Sequence, residues 1–171
     1  MIFGISASAY TLIHVVVSLI GIASGFVVLF GMFNAKRLDR WTVVFLLTTA
    51  ATSLTGFGFP FEHLLPAHKV GILSLLVLAV AGLARYTFHL AGRWRWIYVV
   101  TAQLALYFNV FVLVVQAFEK APALRRVAPT QKEPPFLIAQ LIVLLAFVVL
   151  TIVAVRRFRI DQSARRALRA S

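Results

Sequence analysis

Long apolar stretches alternate with short polar segments along this chain. Five windows of roughly 20 residues contain almost only apolar side chains, which is the length that an α-helix needs to cross a ~30 Å hydrocarbon core. Tryptophans and prolines stand at several window boundaries, as is typical of the ends of membrane helices. The pattern predicts five helices, at residues 10–33, 41–61, 70–90, 96–118 and 136–156.

The amino-acid composition, together with this pattern, indicates the fold class. Apolar residues make up 61% of the 171 residues, more than a water-soluble domain of this length could bury. We expect an all-α, polytopic membrane helix bundle, with residues 1–156 as one transmembrane domain and 157–171 as a basic cytoplasmic tail. No soluble catalytic domain fits in the remaining length, which favours a protein that is not an enzyme. The chain has no cysteine, which excludes disulfides and thiolate chemistry.

The basic residues fall into two sets that flank opposite ends of the predicted helices. The larger set has twelve members: Lys36, Arg37, Arg40, Arg85, Arg93, Arg95, Arg156, Arg157, Arg159, Arg165, Arg166 and Arg169. The smaller set has five: Lys69, Lys120, Arg125, Arg126 and Lys132. Because Lys and Arg accumulate on the cytoplasmic side, we expect Ile5 outside and Ser171 in the cytoplasm. The uncharged start of the chain lacks the basic region of a cleavable signal peptide, so we expect helix one to be retained.

The net charge of +12 favours anionic lipid headgroups over nucleic acid as a partner. The basic residues are dispersed at helix ends and form no aromatic and basic binding face. In the tail RRFRIDQSARRALRAS they cluster just beyond a predicted span, where each contributes about 1 kcal/mol of attraction to an anionic leaflet. Docking of another protein is the alternative role for this tail.

Arg85 and His89 lie four residues apart near the cytoplasmic end of the third predicted helix. The first interpretation is an anchor, because a long basic side chain near a helix end can extend to the headgroups. The second is a site: Gly71, Ser74, Leu78, Gly82, Arg85 and His89 recur at helical spacing. If this stripe faces the bundle interior, Arg85 is a buried cation that could bind an anionic ligand.

A second stripe on helix one contains His14, Ser18, Gly21 and Gly25. Its small residues predict close helix packing, and the Gly21–Gly25 pair suggests a homo-oligomer interface. His14 lies about one turn below the outer surface. If the protein binds a specific ligand, we expect it at this outer end, in a polar cavity formed by His14, Glu62, His63, His68, Gln116 and Gln140.

Two alternatives remain open for these outer residues. Neutral imidazoles of His14, His63 and His68 could bind a divalent metal, or His14 with His68 or His63 could ligate a b-type haem or contact a quinone. The bland interpretation is that amides and hydroxyls pair across helices, and we expect no cofactor on this basis.

Two connections carry their own signals. The outer end of helix two, GFGFPF, is expected to be irregular. The longest loop, EKAPALRRVAPTQKEPP, contains four prolines and mixed charge and predicts an extended, ordered cap over the outer end. All five carboxylates fall in predicted loops or the tail, so proton relays through intramembrane acids are unsupported.

Two stretches carry resemblances. The runs GRWRWIYVVTAQLALYFNVFVLVVQAF and APTQKEPPFLIAQ resemble a family of small bacterial inner-membrane proteins of unknown function, which implies that location. The segment HKVG, from His68 to Gly71, is similar to the His-x-x-Gly of cytochrome b561-like membrane proteins, which implies haem ligation.

Two classes of function follow. The first is a non-enzymatic membrane protein, either a transporter or channel-like oligomer or an accessory subunit of a larger membrane complex, with an outward-facing polar cavity. The second is a redox subunit that binds haem b or a quinone through His14 with His68 or His63. Small-residue stripes in apolar helices favour the first class.

Overall fold

The computed structural model describes residues 4, 6–59 and 66–158, and this part of the chain is helical without strands. The elements are α1 (Ala7–Phe33), α2 (Asp39–Gly56), α3 (Pro66–Gly82), a π-helical turn that continues α3 (Leu83–Thr87), α4 (Trp94–Lys120), α5 (Pro122–Val127) and α6 (Pro134–Arg157). The predicted all-α class is confirmed.

Four helices in the described ranges are long and apolar enough to cross a membrane: Ala7–Phe33, His68–Thr87, Trp94–Lys120 and Pro134–Arg157. The chain is therefore built as a multi-pass membrane protein. The helix α2 is not among the four, because its 18 residues begin with Asp39 and Arg40 and end in a hydroxyl-rich segment. Length and composition alone do not support the predicted count of five spans.

Two predicted helix ends and one predicted loop need correction. The helix α2 ends at Gly56, where a Gly-Phe-Gly-Phe sequence begins to turn, rather than at residue 61. The third element is α-helical to Gly82 and π-helical to Thr87, so His89 lies in a connection with a φ of +50° instead of inside the helix. The proline-rich loop holds the short helix α5, which starts at Pro122 as proline favours.

Close packing of α1 against α2 forms an antiparallel hairpin. A Cβ added at Gly31 would lie 2.5 Å from Leu38 Cδ1, and one added at Gly25 would lie 2.9 Å from the Phe45 ring. At the far end the Tyr10 hydroxyl donates a hydrogen bond to the Thr55 carbonyl oxygen at 2.7 Å. Contacts along both helices show that α2 runs back over nearly the full length of α1.

The helix α4 is the centre of the bundle and packs against α1, α2, α3 and α6. Its small buried residues Ala102 and Ala105 allow close approach, and Leu106 fills the space beside Gly25. On the other side, Tyr107 packs edge-on against Phe147 of α6, with ring centroids 5.7 Å apart. The lipid-facing surface of α6 is almost wholly apolar, as a membrane helix requires.

The antiparallel packing brings the connections together at two ends of the bundle. At the first, which we call the basic end, Arg85 contacts the connection between α1 and α2, and Arg95 donates to the carbonyl of Phe158 after α6. At the opposite end, Phe57 stacks on His68, and Phe118 of α4 packs edge-on against Phe136 of α6. The basic residues of the larger set that fall in the described ranges lie at the basic end.

Candidate functional site

The π-helical turn at Leu83–Thr87 positions Arg85 at the basic end. A backbone hydrogen bond of 3.0 Å from Phe88 to the carbonyl of Leu83 closes the wider turn, and such turns are frequent at functional sites. Leu90 follows with a φ of +60° and is buried. The wider turn and the left-handed residues end α3 abruptly, and Arg85 lies on its buried side.

The guanidinium of Arg85 is held by the start of α2. Its Nη2 donates to the carbonyl oxygen of Arg37 at 2.9 Å and to Asp39 Oδ1 at 2.5 Å. Its Cζ lies 5.1 Å from the ring centroid of Tyr98, which provides a cation–π contact. The residue is only 2% exposed. These contacts tie α2, α3 and α4 together around one cation.

Three donor nitrogens of this cluster are unsatisfied. Both Nε and Nη1 of Arg85 are buried without a hydrogen-bond partner, and so is Nε of Arg37. The Arg37 Nε lies 3.8 Å from the same Asp39 oxygen. A buried cation normally has all its N–H groups paired, because an unpaired one loses its hydration without compensation. The cluster therefore has more donors than the single Asp39 carboxylate can satisfy.

These contacts correct two predictions. Arg85 does not extend outward as an anchor; its side chain points into the bundle, as the stripe through Ser74 and Leu78 predicted, and both of those residues are buried. Asp39 does not lie in a loop, since it opens α2 and pairs with Arg85. His89 is exposed and lies outside this cluster.

At the opposite end, His14 of α1 contacts α2. Its Nδ1 lies 2.8 Å from Thr55 Oγ1, and its ring packs edge-on against Phe59. The Thr55 hydroxyl already donates to the carbonyl oxygen of Ala51 at 2.7 Å. When the Thr55 proton is used in that bond, Oγ1 accepts from Nδ1–H, and a neutral His14 then has Nε2 as its unprotonated nitrogen.

The other predicted outer residues are not shown to converge on His14. His68 is buried and stacks on Phe57, with ring centroids 5.2 Å apart. Gln116 approaches Glu119 at 3.5 Å, whereas Gln140 donates to the carbonyl oxygen of Phe111 at 3.2 Å. Glu62 and His63 lie outside the described residues.

The positions of the described side chains give limited support for a metal centre. Among residues 6–59 and 66–158, no three side chains of His, Asp, Glu or Cys come together in a group that could hold a metal ion. His14 presents the correct nitrogen for ligation, and His68 lies at the same end of the bundle. The metal and haem alternatives stay predictions, because His63 is not described.

A shallow, open hollow does exist at the opposite end. It is lined by Phe118, Glu119, Lys120, Arg125, Pro129, Thr130 and Gln131. Of the predicted ligand-binding residues that the structure describes, His14, His68, Gln116 and Gln140, none lines it. Its walls come from the end of α4, from α5 and from the following turn, so the hollow is a feature of the proline-rich loop rather than of the helix interior.

Comparison with protein-family models, with curated proteins and with solved structures gave no match. Any function must therefore be argued from the residues of this chain.

Sequence reasoning found Arg85 but missed its partners. Asp39 is the lone carboxylate among the basic residues of the basic end up to Arg157, and Arg85 is the one charged residue in the interior of a predicted apolar window, since Arg156 is the last residue of its window. Opposite charges that are isolated at the same membrane depth are expected to pair, and this signal could have identified Asp39. Nothing comparable in the sequence marks Tyr98.

Proposed function

We propose that this chain is a multi-pass membrane protein with five crossing helices that acts as an accessory subunit of a membrane complex, without an enzymatic reaction of its own. The N-terminus lies outside, the C-terminus lies in the cytoplasm, and the bacterial inner membrane is the proposed location. The main alternatives within the same class are a transporter and a channel-like homo-oligomer.

The hairpin geometry supports five crossings. The helix α2 pairs with α1 from Leu38 beside Gly31 to Thr55 beside His14, so it extends through the same depth as a helix that can itself cross. Its hydroxyls are compatible with this depth, because Thr48 and Thr55 donate to carbonyl oxygens four residues earlier in the helix. Orientation follows from the concentration of basic residues at the basic end.

The single observation that favours an accessory role over a conduit is the filled centre of the bundle. At Gly25 an added Cβ would lie 2.6 Å from Leu106 Cδ1 and 2.9 Å from the Phe45 ring. Two polar side chains at this depth contact neighbouring helices: Asn109 donates to Thr49 at 3.0 Å, and Gln103 Nε2 lies 3.5 Å from the sulfur of Met32, while Gln103 Oε1 is buried without a partner. These polar groups take part in contacts between helices. A path for a solute would instead need such groups as its lining.

Reconstitution tests this proposal. Purified protein in vesicles that contain a pH or potassium indicator should give no flux above that of empty vesicles, whereas mild-detergent extraction from native membranes should recover one membrane partner at a fixed ratio. Flux by the protein alone would establish the conduit alternative. Recovery of only the single chain, together with an inactive reconstitution, would also contradict the accessory role.

The redox alternative rests on a different observation, the contact of His14 Nδ1 with the Thr55 hydroxyl. With Nδ1–H donated to Thr55, the Nε2 lone pair is the one that haem iron requires. Purified protein should then show a Soret band that is lost in His14→Ala and kept in Thr11→Ala, a control on the same helix. A colourless wild-type protein rules out haem.

A further inference from the structure

The first turn of α2 and the Arg85 guanidinium form a concentrated set of hydrogen-bond donors. Leu38 precedes the helix in a left-handed conformation, and its side chain cannot cap the first amides. Arg85, whose Nη2 contacts Asp39 in this turn, has two further donor nitrogens that are buried without a partner, and Arg37 has a third. A helix N-terminus carries a partial positive charge, so both features attract an anion.

Asp39 shows that an anion fits this position. Its Oδ1 lies 2.5 Å from Arg85 Nη2 and 3.8 Å from Arg37 Nε, and it is the only carboxylate oxygen that contacts either arginine in the described ranges. Arg85 is buried, but the side chain of Asp39 is 73% exposed. The carboxylate can therefore turn toward solvent, which frees Nη2 of Arg85 for another anion.

We propose that Arg85, Arg37 and the first turn of α2 form a binding site for the phosphate of an anionic lipid, with Asp39 as a built-in competitor for the same donors. A phosphate offers more acceptor oxygens than one carboxylate and can satisfy the donors that Asp39 leaves unpaired. This site is independent of the accessory role, because it requires no protein partner.

The position along the membrane normal points to a lipid rather than a soluble anion. Arg85 lies near the end of the span His68–Thr87, where a phosphate headgroup is found. The indoles of Trp41 and Trp96 are exposed near the ends of α2 and α4 at the basic end, and tryptophans concentrate at the membrane interface. A phosphate held in the leaflet has direct access to this depth.

Lipid titration of the delipidated full chain in neutral detergent tests the site. Short-chain phosphatidylglycerol should raise the melting temperature of the wild type in a saturable way, and phosphatidylcholine should not. In Arg85→Gln the half-saturating concentration should rise about tenfold or more, because a charge-assisted hydrogen-bonding group is lost. In Arg93→Gln, which removes an exposed cation at the same end, it should change less than about twofold.

The variant Asp39→Asn distinguishes a lipid-binding site from a cluster that only supports packing. Without lipid this variant should melt below the wild type, because Arg85 loses its carboxylate. Phosphatidylglycerol should bind it several-fold more tightly, because the competitor is gone, and should restore its melting temperature. A variant that merely disrupts packing would lose stability without a gain in lipid affinity.

Several outcomes would overturn the proposal. Equal half-saturation in Arg85→Gln and the wild type would remove Arg85 from the site, and an equal response to phosphatidylcholine would remove its selectivity. Saturation by millimolar inorganic phosphate alone would make it a site for soluble anions. If Arg85→Gln cannot be purified, Arg37→Gln and Asp39→Asn decide, because unchanged lipid affinity in both would contradict the site.

Discussion

Two glycines on α1 show how single residues set the packing of this bundle. Gly21 and Gly25 were expected to face a second copy of the chain, yet both are buried against α2 and α4. A Cβ added at Gly21 would lie 3.3 Å from the hydroxyls of Thr48 and Thr49. The small-residue spacing correctly predicted close approach, but spacing carries no information on which helix approaches. The homo-oligomer prediction has lost this support.

Gly25→Ala should therefore destabilise the single chain. The added methyl group would overlap Leu106 and the Phe45 ring, and overpacking of this kind costs about 1–3 kcal/mol. The measurement is reversible unfolding in mixed micelles. Gly82→Ala is the matched control: its added Cβ meets nothing within 4 Å, so it should be neutral or slightly stabilising.

The opposite result would be informative as well. If Gly25→Ala leaves the unfolding free energy unchanged and instead lowers crosslinking between copies, then α1 uses this face between chains. The placement of Gly25 against α2 and α4 would then be incorrect.

At the candidate site, too, residue spacing showed which residues share a helix face but not which helix that face contacts. The stripe through Ser74, Leu78 and Arg85 predicted an interior cation as an alternative, because helical periodicity shows which residues share a face. Whether that face is inside depends on the neighbouring helix, and the partner Asp39 is 46 residues away in sequence. Local patterns cannot supply contacts of that range.

At the scale of elements, apolar length predicted the helices well and their ends less well. The cores of α1, α3, α4 and α6 follow directly from hydropathy. The end of α3 does not, because the π-helical turn and the left-handed His89 and Leu90 depend on tertiary contacts. The helix α5 was missed because its six residues carry two arginines and no apolar stripe.

The turn before α6 is an element whose stability should depend on pH. Glu133 accepts hydrogen bonds from the hydroxyl of Thr130 at 2.8 Å and from the amides of Thr130 and Lys132 at 3.1 and 3.0 Å. Desolvation raises the pKa of Glu133, but these hydrogen bonds outweigh it and the pKa is lowered overall. The stabilisation of the turn by these hydrogen bonds is therefore fully present at a pH above the ordinary glutamate pKa. It is lost as the pH falls through the lowered pKa of Glu133.

Hydrogen exchange at the amides of Thr130 and Lys132 measures this effect. Protection, corrected for intrinsic exchange rates, should fall in the wild type as the pH drops below the ordinary range of a glutamate. In Glu133→Gln it should be lower at neutral pH and independent of pH over the same interval. Glu119→Gln is the control, since in the described residues that carboxylate accepts a hydrogen bond from Gln116 rather than from this turn. Equal pH dependence in wild type and Glu133→Gln would show that another group titrates.

At the scale of the whole molecule, the decisive question is whether α2 crosses the membrane. The hydroxyl-rich sequence of α2 argues against a span, whereas its pairing along α1 argues for one. The two possibilities place all later connections on opposite sides. An odd number of crossings puts the chain termini on different sides, and an even number puts them on the same side.

The natural absence of cysteine makes this prediction directly testable, because every single-cysteine variant reports one position. The positions are exposed or partly exposed and carry no basic side chain: Ser6, Asn34, Gly58, Ala91 and Ala123. With five crossings, a membrane-impermeant maleimide added to intact cells should label Ser6→Cys, Gly58→Cys and Ala123→Cys. Asn34→Cys and Ala91→Cys should react only after lysis.

If α2 does not cross and the N-terminus stays outside, Gly58 and Ala123 exchange sides with Ala91, so labelling of Ala91→Cys in intact cells would refute the five-helix topology. The basic end would then be split between two faces of the membrane, which the contact between Arg85 and Asp39 does not allow.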